Sequence, residues 1–187
     1  MRPPSSLLSI VLGMSLAAPA LAASVPVGPS LGLGNKATPQ ELSRFFAIPP
    51  DGAGLPDGRG TVATGRQVYA EKCMMCHGDK LQGVKATGGL ALVGGRGTLT
   101  SAKPLKTTES YWPYATTMFD YIKRAMPFNA PGSLKDDEVY ALVAYILAEG
   151  HVVGEDAVMD KASLPKVQMP NRDGFRPYPG PDQSVFR

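Results

Sequence analysis

Apolar residues recur at helical spacing in two stretches of this chain, and a capping signature marks a third helix. The clearest is near the C-terminal third, where Val139, Leu142, Val143 and Ile146 follow the i, i+3, i+4, i+7 rule of one buried face. Ser133 is the expected N-cap, Asp136 and Asp137 suit the positive end of the helix dipole, and Gly150 is the stop. A second stripe, Ala115, Met118, Phe119 and Ile122, predicts a helix from Pro113 to Ala125. Met126-Pro127 ends it, because proline lacks the N–H and clashes with the preceding turn. The third helix opens at Thr64-Gly65-Arg66-Gln67, which reads as a capping box with Thr64 at the N-cap and Gln67 at N3. Gly65 in its first turn costs about 1 kcal/mol against alanine. Close approach of another helix would explain it.

Between and around these helices the pattern breaks down. Residues 78–108 carry Gly78, Gly83, Gly88, Gly89, Gly94, Gly95 and Gly97 with no sustained period, which predicts a loop with Leu81, Leu90, Leu92 and Leu99 turned inward. Gly94-Gly95-Arg96-Gly97 has no strand before it and no helix after it, so it is a weak phosphate-binding signal. Residues 24–60 hold Pro26, Pro29, Pro39, Pro49, Pro50 and Pro56 and cannot run a long helix or a central strand. A short helix over Pro39–Phe46 with Thr38 as N-cap is compatible with them. Phe45, Phe46 and Ile48 would pin this arm to the domain, unless the segment is a linker. Residues 151–187 read as a trailing arm that Phe175, Tyr178 and Phe186 could dock.

The N-terminus is an address. Arg2, the apolar run Leu7 to Leu16 and Ala20-Leu21-Ala22 have the order of a secretory signal with an A-x-A cleavage site. The run is too short to span a bilayer. The expected organisation is a signal peptide over 1–22, an extended arm over 23–60, a domain over 61–150 and a C-terminal arm over 151–187. An uncleaved anchor is the alternative. A net charge of +3 on 187 residues, with no run of like charges, gives no case for a nucleic-acid binder. With 21 glycines and 18 prolines, few regular elements are expected, and a bound cofactor would supply apolar core that so small a domain lacks.

Cys73-Met74-Met75-Cys76-His77 says which cofactor. Two thiols spaced C-x-x-C can add to the two vinyl groups of one porphyrin, and the next histidine can ligate the iron. A thioredoxin-like disulfide would need a βαβ context. A zinc site would need a fourth ligand, and there is no third cysteine. The expected cofactor is therefore one covalently attached haem c, held by Cys73, Cys76 and His77. For the sixth ligand, Met74 and Met75 lie between the cysteines, Met118 is on a core stripe, and Met159 and Met169 are in the tail. Met126, at a helix end before Pro127, is the leading candidate, and His151 is the rival. His/Met ligation raises the potential and closes the coordination sphere, which points to electron transfer rather than catalysis. Arg96 could meet a haem propionate or simply face solvent.

Cys73-x-x-Cys76-His77, Met126-Pro127 and a C-terminal helix together resemble class I cytochrome c over about residues 60–150. That resemblance implies an all-α, haem-wrapping fold with long irregular arms. It also implies that Gly65 and Tyr69 on the first helix cross Leu142 and Tyr145 on the last. One departure stands out. No proline lies between His77 and Pro104, so some other carbonyl of the 78–95 loop must hold His77 Nδ1.

The run Tyr111-Trp112-Pro113-Tyr114-Ala115-Thr116-Thr117-Met118-Phe119-Asp120-Tyr121-Ile122, continuing through Arg124-Ala125-Met126-Pro127-Phe128-Asn129-Ala130-Pro131, is similar to cytochrome subunits of molybdenum sulfite-dehydrogenase-type enzymes. These include the D-type subunit of the sulfur-oxidising Sox system. Leu164-Pro165-Lys166-Val167 and Met169-Pro170-Asn171-Arg172-Asp173-Gly174-Phe175 resemble their tails. The resemblance implies a periplasmic molybdopterin partner oxidising sulfite or a related sulfur compound, with the arms wrapping it and a downstream cytochrome or oxidase taking the electrons. D-type subunits often carry two haems, whereas this chain has one C-x-x-C-H. The competing readings are a free shuttle between a quinol-oxidising complex and a terminal oxidase, and a haem enzyme or gas sensor with an open distal site.

Overall fold

The computed structural model describes residues 34–41, 47–176 and 180. The signal segment, Phe45, Phe46, Tyr178 and Phe186 lie outside the described residues, and residues 39–41 are the described part of the short helix expected over Pro39–Phe46. The chain divides into two units, Met1–Pro39 and Gln40–Arg187. In the first, residues 34–38 are exposed and form no helix or strand. Everything below belongs to the second.

Its elements run β1 (Arg59–Thr61), α1 (Val62–Lys72), α2 (Met74–His77), α3 (Ala115–Ala125), α4 (Asp136–Glu149) and β2 (Val158–Asp160), with 3-10 turns at Lys85–Thr87 and Leu164–Lys166. The fold is helical, as expected, with one small sheet added. Helix α4 is its axis. Residues Val139 to Ala148 are all buried, so this helix is apolar almost all round and serves as the core itself. Its start is Lys135 rather than the expected Ser133. Glu138 at N3 reaches back to accept from Lys135 N at 2.8 Å, and three acidic residues in the first turn face the positive end of the dipole.

Helix α1 begins three residues before the expected start, because Thr61 and not Thr64 is the N-cap; its hydroxyl accepts from Thr64 N at 3.1 Å. The two helices cross at Gly65. A Cβ there would sit 1.9 Å from the Ala141 carbonyl oxygen and 2.7 Å from Tyr145 Cβ. Gly60 is equally tight, with Ala141 N 2.0 Å from the place of its Cβ. The nearest neighbour of Gly65 is thus the backbone of Ala141, with the expected Tyr145 beside it. The Tyr69 and Tyr145 rings pack at 5.2 Å between centroids.

Helix α3 starts at Ala115 instead of Pro113, with Tyr114 as an extended N-cap. Ala115, Met118 and Phe119 are buried as expected, Ile122 is partly buried, and Phe119 packs on Tyr140 of α4 at 4.5 Å. Lys123 ties the two helices by bonding the Leu134 carbonyl and pairing with Asp136, each at 2.7 Å.

The flanking segments are part of this body. Strands β1 and β2 pair antiparallel, Gly60 opposite Met159, which joins the stretch before the first helix to the stretch after the last. Ile48 N bonds Asp120 Oδ1 at 3.2 Å, and Tyr140 Oη donates to the Pro56 carbonyl at 2.9 Å. Met159, Leu164, Val167 and Met169 are buried in the main core cluster. Their apolar side chains, scattered among polar neighbours without a helical period, left no signal of burial in the sequence.

Gly65→Ala should destabilise the holoprotein by about 3 kcal/mol, the upper range of overpacking, because helix backbone stands where the methyl would go. Gly88→Ala, at φ 75° with open space around it, should cost only about 1 kcal/mol. Denaturant unfolding of both variants checks the contrast.

Lys72 and the Lys135 N–H hold the Glu138 carboxyl below its ordinary value of 4.5. Its stabilisation is therefore complete above that value and is lost as pH falls through the lower folded value. Glu138→Gln should cost up to about 1 kcal/mol at pH 7, and its gap from the parent should narrow only below pH 4.5, closing as pH falls through the lower folded value, in a pH series of unfolding curves.

Candidate haem site

Helix α1 ends where the cysteines begin. Cys73 is its C-cap, with N–H bonded to the Tyr69 carbonyl, and φ −125°, ψ −34° turn the chain into the single turn of α2. Cys73, Cys76 and His77 are thereby brought together, all partly buried, with both cysteines free thiols. Burial pushes the Cys73 thiol up to about 11, so it stays neutral at physiological pH. Tyr69 fixes the far end of the turn by donating from its buried hydroxyl to the Gly78 carbonyl at 2.7 Å, and burial raises its own pKa.

The missing proline has a replacement. His77 Nδ1 lies 2.7 Å from the Leu90 carbonyl oxygen. A carbonyl can only accept, so Nδ1 carries the proton and Nε2 keeps a lone pair for a metal. The loop is folded back to place this carbonyl. Gly83 N bonds His77 O at 2.7 Å, Val84 N bonds Cys76 O at 3.1 Å, and Val84 pairs with Gly89 in an isolated bridge. Gly89 lies so close that a Cβ would be 1.8 Å from Cys76 O. The sequence required a carbonyl in this loop but had no signal that singled out Leu90. The Leu90 side chain itself is 75% exposed, not turned inward as expected, since its backbone is what the fold uses; Leu81 is fully buried, and Leu92 and Leu99 are partly buried.

The methionines sort by burial. Met118, Met159 and Met169 are core residues, while Met74 and Met75 are exposed between the cysteines. Met126 stands apart as the extended C-cap of α3, partly buried, with its N–H bonded to the Ile122 carbonyl at 3.1 Å. His151 is exposed and closes α4 at φ 53°, with its N–H on the Ala148 carbonyl.

Arg96 is exposed, as expected, but it is not free. Its Nε pairs with Glu109 Oε1 at 3.1 Å and its Nη2 bonds the Gly150 carbonyl, tying the loop to the end of α4. Glu109 is buried beside Thr107, Thr108 and Ser110, whose hydroxyls hold the backbone of Leu92, Gly94 and Leu105. This polar staple was not legible in the sequence, because nothing in Thr-Thr-Glu-Ser distinguishes it from an exposed loop.

The residues fit a haem. Two thiols and an imidazole whose free nitrogen is oriented by a carbonyl suit covalent attachment and ligation of a haem. Cys73, Leu92, Val93 and Ile122 are among the side chains that pack against the core yet remain only partly buried.

Residues 62–149 match the cytochrome c family. The structure is similar to a chain of the sulfane dehydrogenase SoxCD from Paracoccus pantotrophus, with TM-score 0.69 and 40% identity over 84% of this chain and 75% of that one. The chain belongs to the c-type cytochromes. Its relatives include sulfur-compound dehydrogenases, so the cytochrome falls in a haem c-binding, electron-transfer family linked to sulfur oxidation. It is also 32% identical over 119 residues to a thiosulfate dehydrogenase of Stutzerimonas stutzeri (strain A1501); that match takes in 61% of the cytochrome but only 35% of the relative, about a third of its length.

Tyr69→Phe should leave the Gly78 carbonyl without its donor and cost about 1–2 kcal/mol. Unfolding of the holoprotein measures the loss, with the haem spectrum as the check that His77 stays bound.

Proposed function

We propose that this chain is a periplasmic monohaem cytochrome that accepts electrons from a molybdopterin sulfite dehydrogenase-type partner and passes them to the respiratory chain. Residues 61–150 are its haem domain, flanked by the arms 23–60 and 151–187, after export directed by residues 1–22. Cys73 and Cys76 would hold the haem covalently, and His77 Nε2 and Met126 Sδ would ligate its iron. The observation that carries this reading is the bond from His77 Nδ1 to the Leu90 carbonyl, which leaves the imidazole oriented and able to ligate only through Nε2.

Bound there, the haem supplies one-electron redox chemistry at a potential set largely by its axial ligands. Met126 offers a soft, weakly donating sulfur and fills the position that oxygen or peroxide would need. Leu90 holds the imidazole through both redox states. Leu92, Val93 and Ile122, partly buried and packed on the core, would help to exclude water from the ring. No helix among the described residues is long and apolar enough to cross a membrane. The 40% identity to a SoxCD chain over most of both chains favours a sulfur-dehydrogenase partner.

Met126→Ala should abolish the low-spin thioether signature and lower the potential by on the order of 100 mV, within the roughly 0.8 V that axial ligands command. Potentiometric titration with optical detection reads both. For the partner, oxidised cytochrome is mixed with periplasmic extract from the source organism and then with sulfite or thiosulfate. Rapid haem reduction that a boiled extract cannot support is the expected result. No reduction by either substrate, with ready reduction by a quinol-oxidising membrane fraction, would replace this reading with a general shuttle.

A further inference from the structure

Residues 105–121 and 171–176 build a connected surface of rings and cations. Tyr111 and Phe175 stack edge to face at 5.1 Å, and Trp112 and Tyr121 do the same at 5.7 Å. Lys106 Nζ lies over Tyr111 at 5.1 Å, and Arg172 lies over Tyr114 at 5.3 Å. Asn171 Nδ2 donates to the Tyr111 carbonyl, which seats the tail on this segment. Leu105, Tyr121 and Phe175 keep 44%, 48% and 50% of their surface exposed. Connected patches of this kind are rare on surfaces with nothing to bind. Tyrosine, tryptophan and arginine are also the residues that dominate interface energetics.

Charge says what the patch meets. Along 103–121 and 171–176 the cations Lys103, Lys106, Arg172 and Arg176 accompany one exposed carboxylate, Asp173, because Glu109 and Asp120 are buried and paired with Arg96 and Arg124. Beside Asn171 opens a cleft of about 300 Å³ lined by Arg96, Leu99, Thr100, Ser110 and Pro170. Arg96 has more N–H donors than its two contacts use, so the cleft suits an incoming carboxylate. Position says which partner this is. Tyr121 is on α3, the helix that ends at Met126, so the patch continues into the element carrying the proposed axial ligand.

We infer that this aromatic, cation-rimmed surface is where the electron-donating dehydrogenase docks, through an acidic face that places a carboxylate side chain in the Arg96 cleft. The inference rests on the electron-transfer reading above. The rings are packed against one another or under cations, an arrangement that suits a shaped protein face better than insertion into lipid.

The test uses the holoprotein and the dehydrogenase fraction obtained from the periplasmic assay, with stopped-flow detection of haem reduction. The double variant Lys106→Glu/Arg172→Glu should be reduced at least about tenfold more slowly at low salt, with the gap narrowing at high salt. Phe175→Ala should be slower by about tenfold at both. Reduction of each variant by ascorbate, and its absorption spectrum, should match the parent. Parent rates with the dehydrogenase would overturn the inference.

If no fraction reduces the parent cytochrome, the electron-transfer reading is what has failed. The surface is then judged by titrating the reduced holoprotein with poly-L-glutamate and following amide shifts. Changes confined to residues 103–114 and 171–176, and lost in the double variant, support an acidic partner face; their absence overturns it. Binding of the parent to vesicles of anionic phospholipid, lost in the same variants, would also overturn it, in favour of a membrane surface.

Discussion

The contact on which this fold depends is the crossing of α1 over α4 at Gly65. Helix backbones approach closely only where a side chain is missing, and here the Ala141 carbonyl occupies the space a methyl would need. That contact fixes the height and rotation of α1. Because α1 ends directly in Cys73, it also fixes where the haem motif emerges. Tyr69, one turn before Cys73, uses its ring against Tyr145 and its hydroxyl on the Gly78 carbonyl. A single helix face thus carries the packing contact and the anchor of the metal-binding turn. About 1 kcal/mol of lost helix propensity at Gly65 is small beside what the crossing organises.

The second layer of control is backbone. The loop after His77 has no α-helix or strand to hold it, yet it keeps the Leu90 carbonyl on His77 Nδ1. It does so through bonds from Gly83 and Val84 back to His77 and Cys76, and through the buried polar group at residues 107–110 beneath it. The Arg96–Glu109 pair then connects this loop to the end of α4. Buried polar groups that are fully partnered specify one arrangement where an apolar contact would tolerate several.

The flanking segments stabilise the same body. The chain before α1 and the chain after α4 meet in the β1–β2 ladder, and the tail buries Met159, Leu164, Val167 and Met169. The sequence suggested arms that would wrap a partner, but these residues cover the cytochrome's own helices. What the tail still offers outward is the ring of Phe175 and the cations around it, laid on the Tyr111–Tyr114 segment.

The sequence by itself determined the haem motif, the three helices and their buried stripes, and the need for a carbonyl to replace the family's proline. Each is local: covalent spacing along a few residues, or a period of 3.6 that shows in any window a helix long. It also separated Met126 from the core methionines 118, 159 and 169, because a residue before proline at a helix end is a local feature too. Tertiary structure alone decided that the carbonyl is that of Leu90, that Arg96 turns inward to Glu109 and Gly150, that the helix starts lie at Thr61, Tyr114 and Lys135, and that the tail belongs to the core. The Leu90 carbonyl, the Arg96 contacts and the burial of the tail depend on residues distant in sequence meeting in space, through backbone atoms or side chains with no periodic pattern, whereas the starts at Thr61 and Lys135 rest on caps three residues away that compete with other plausible ones. Sequence pattern reports which face of an element is apolar; only the packed chain shows what that face, or a given carbonyl, will meet.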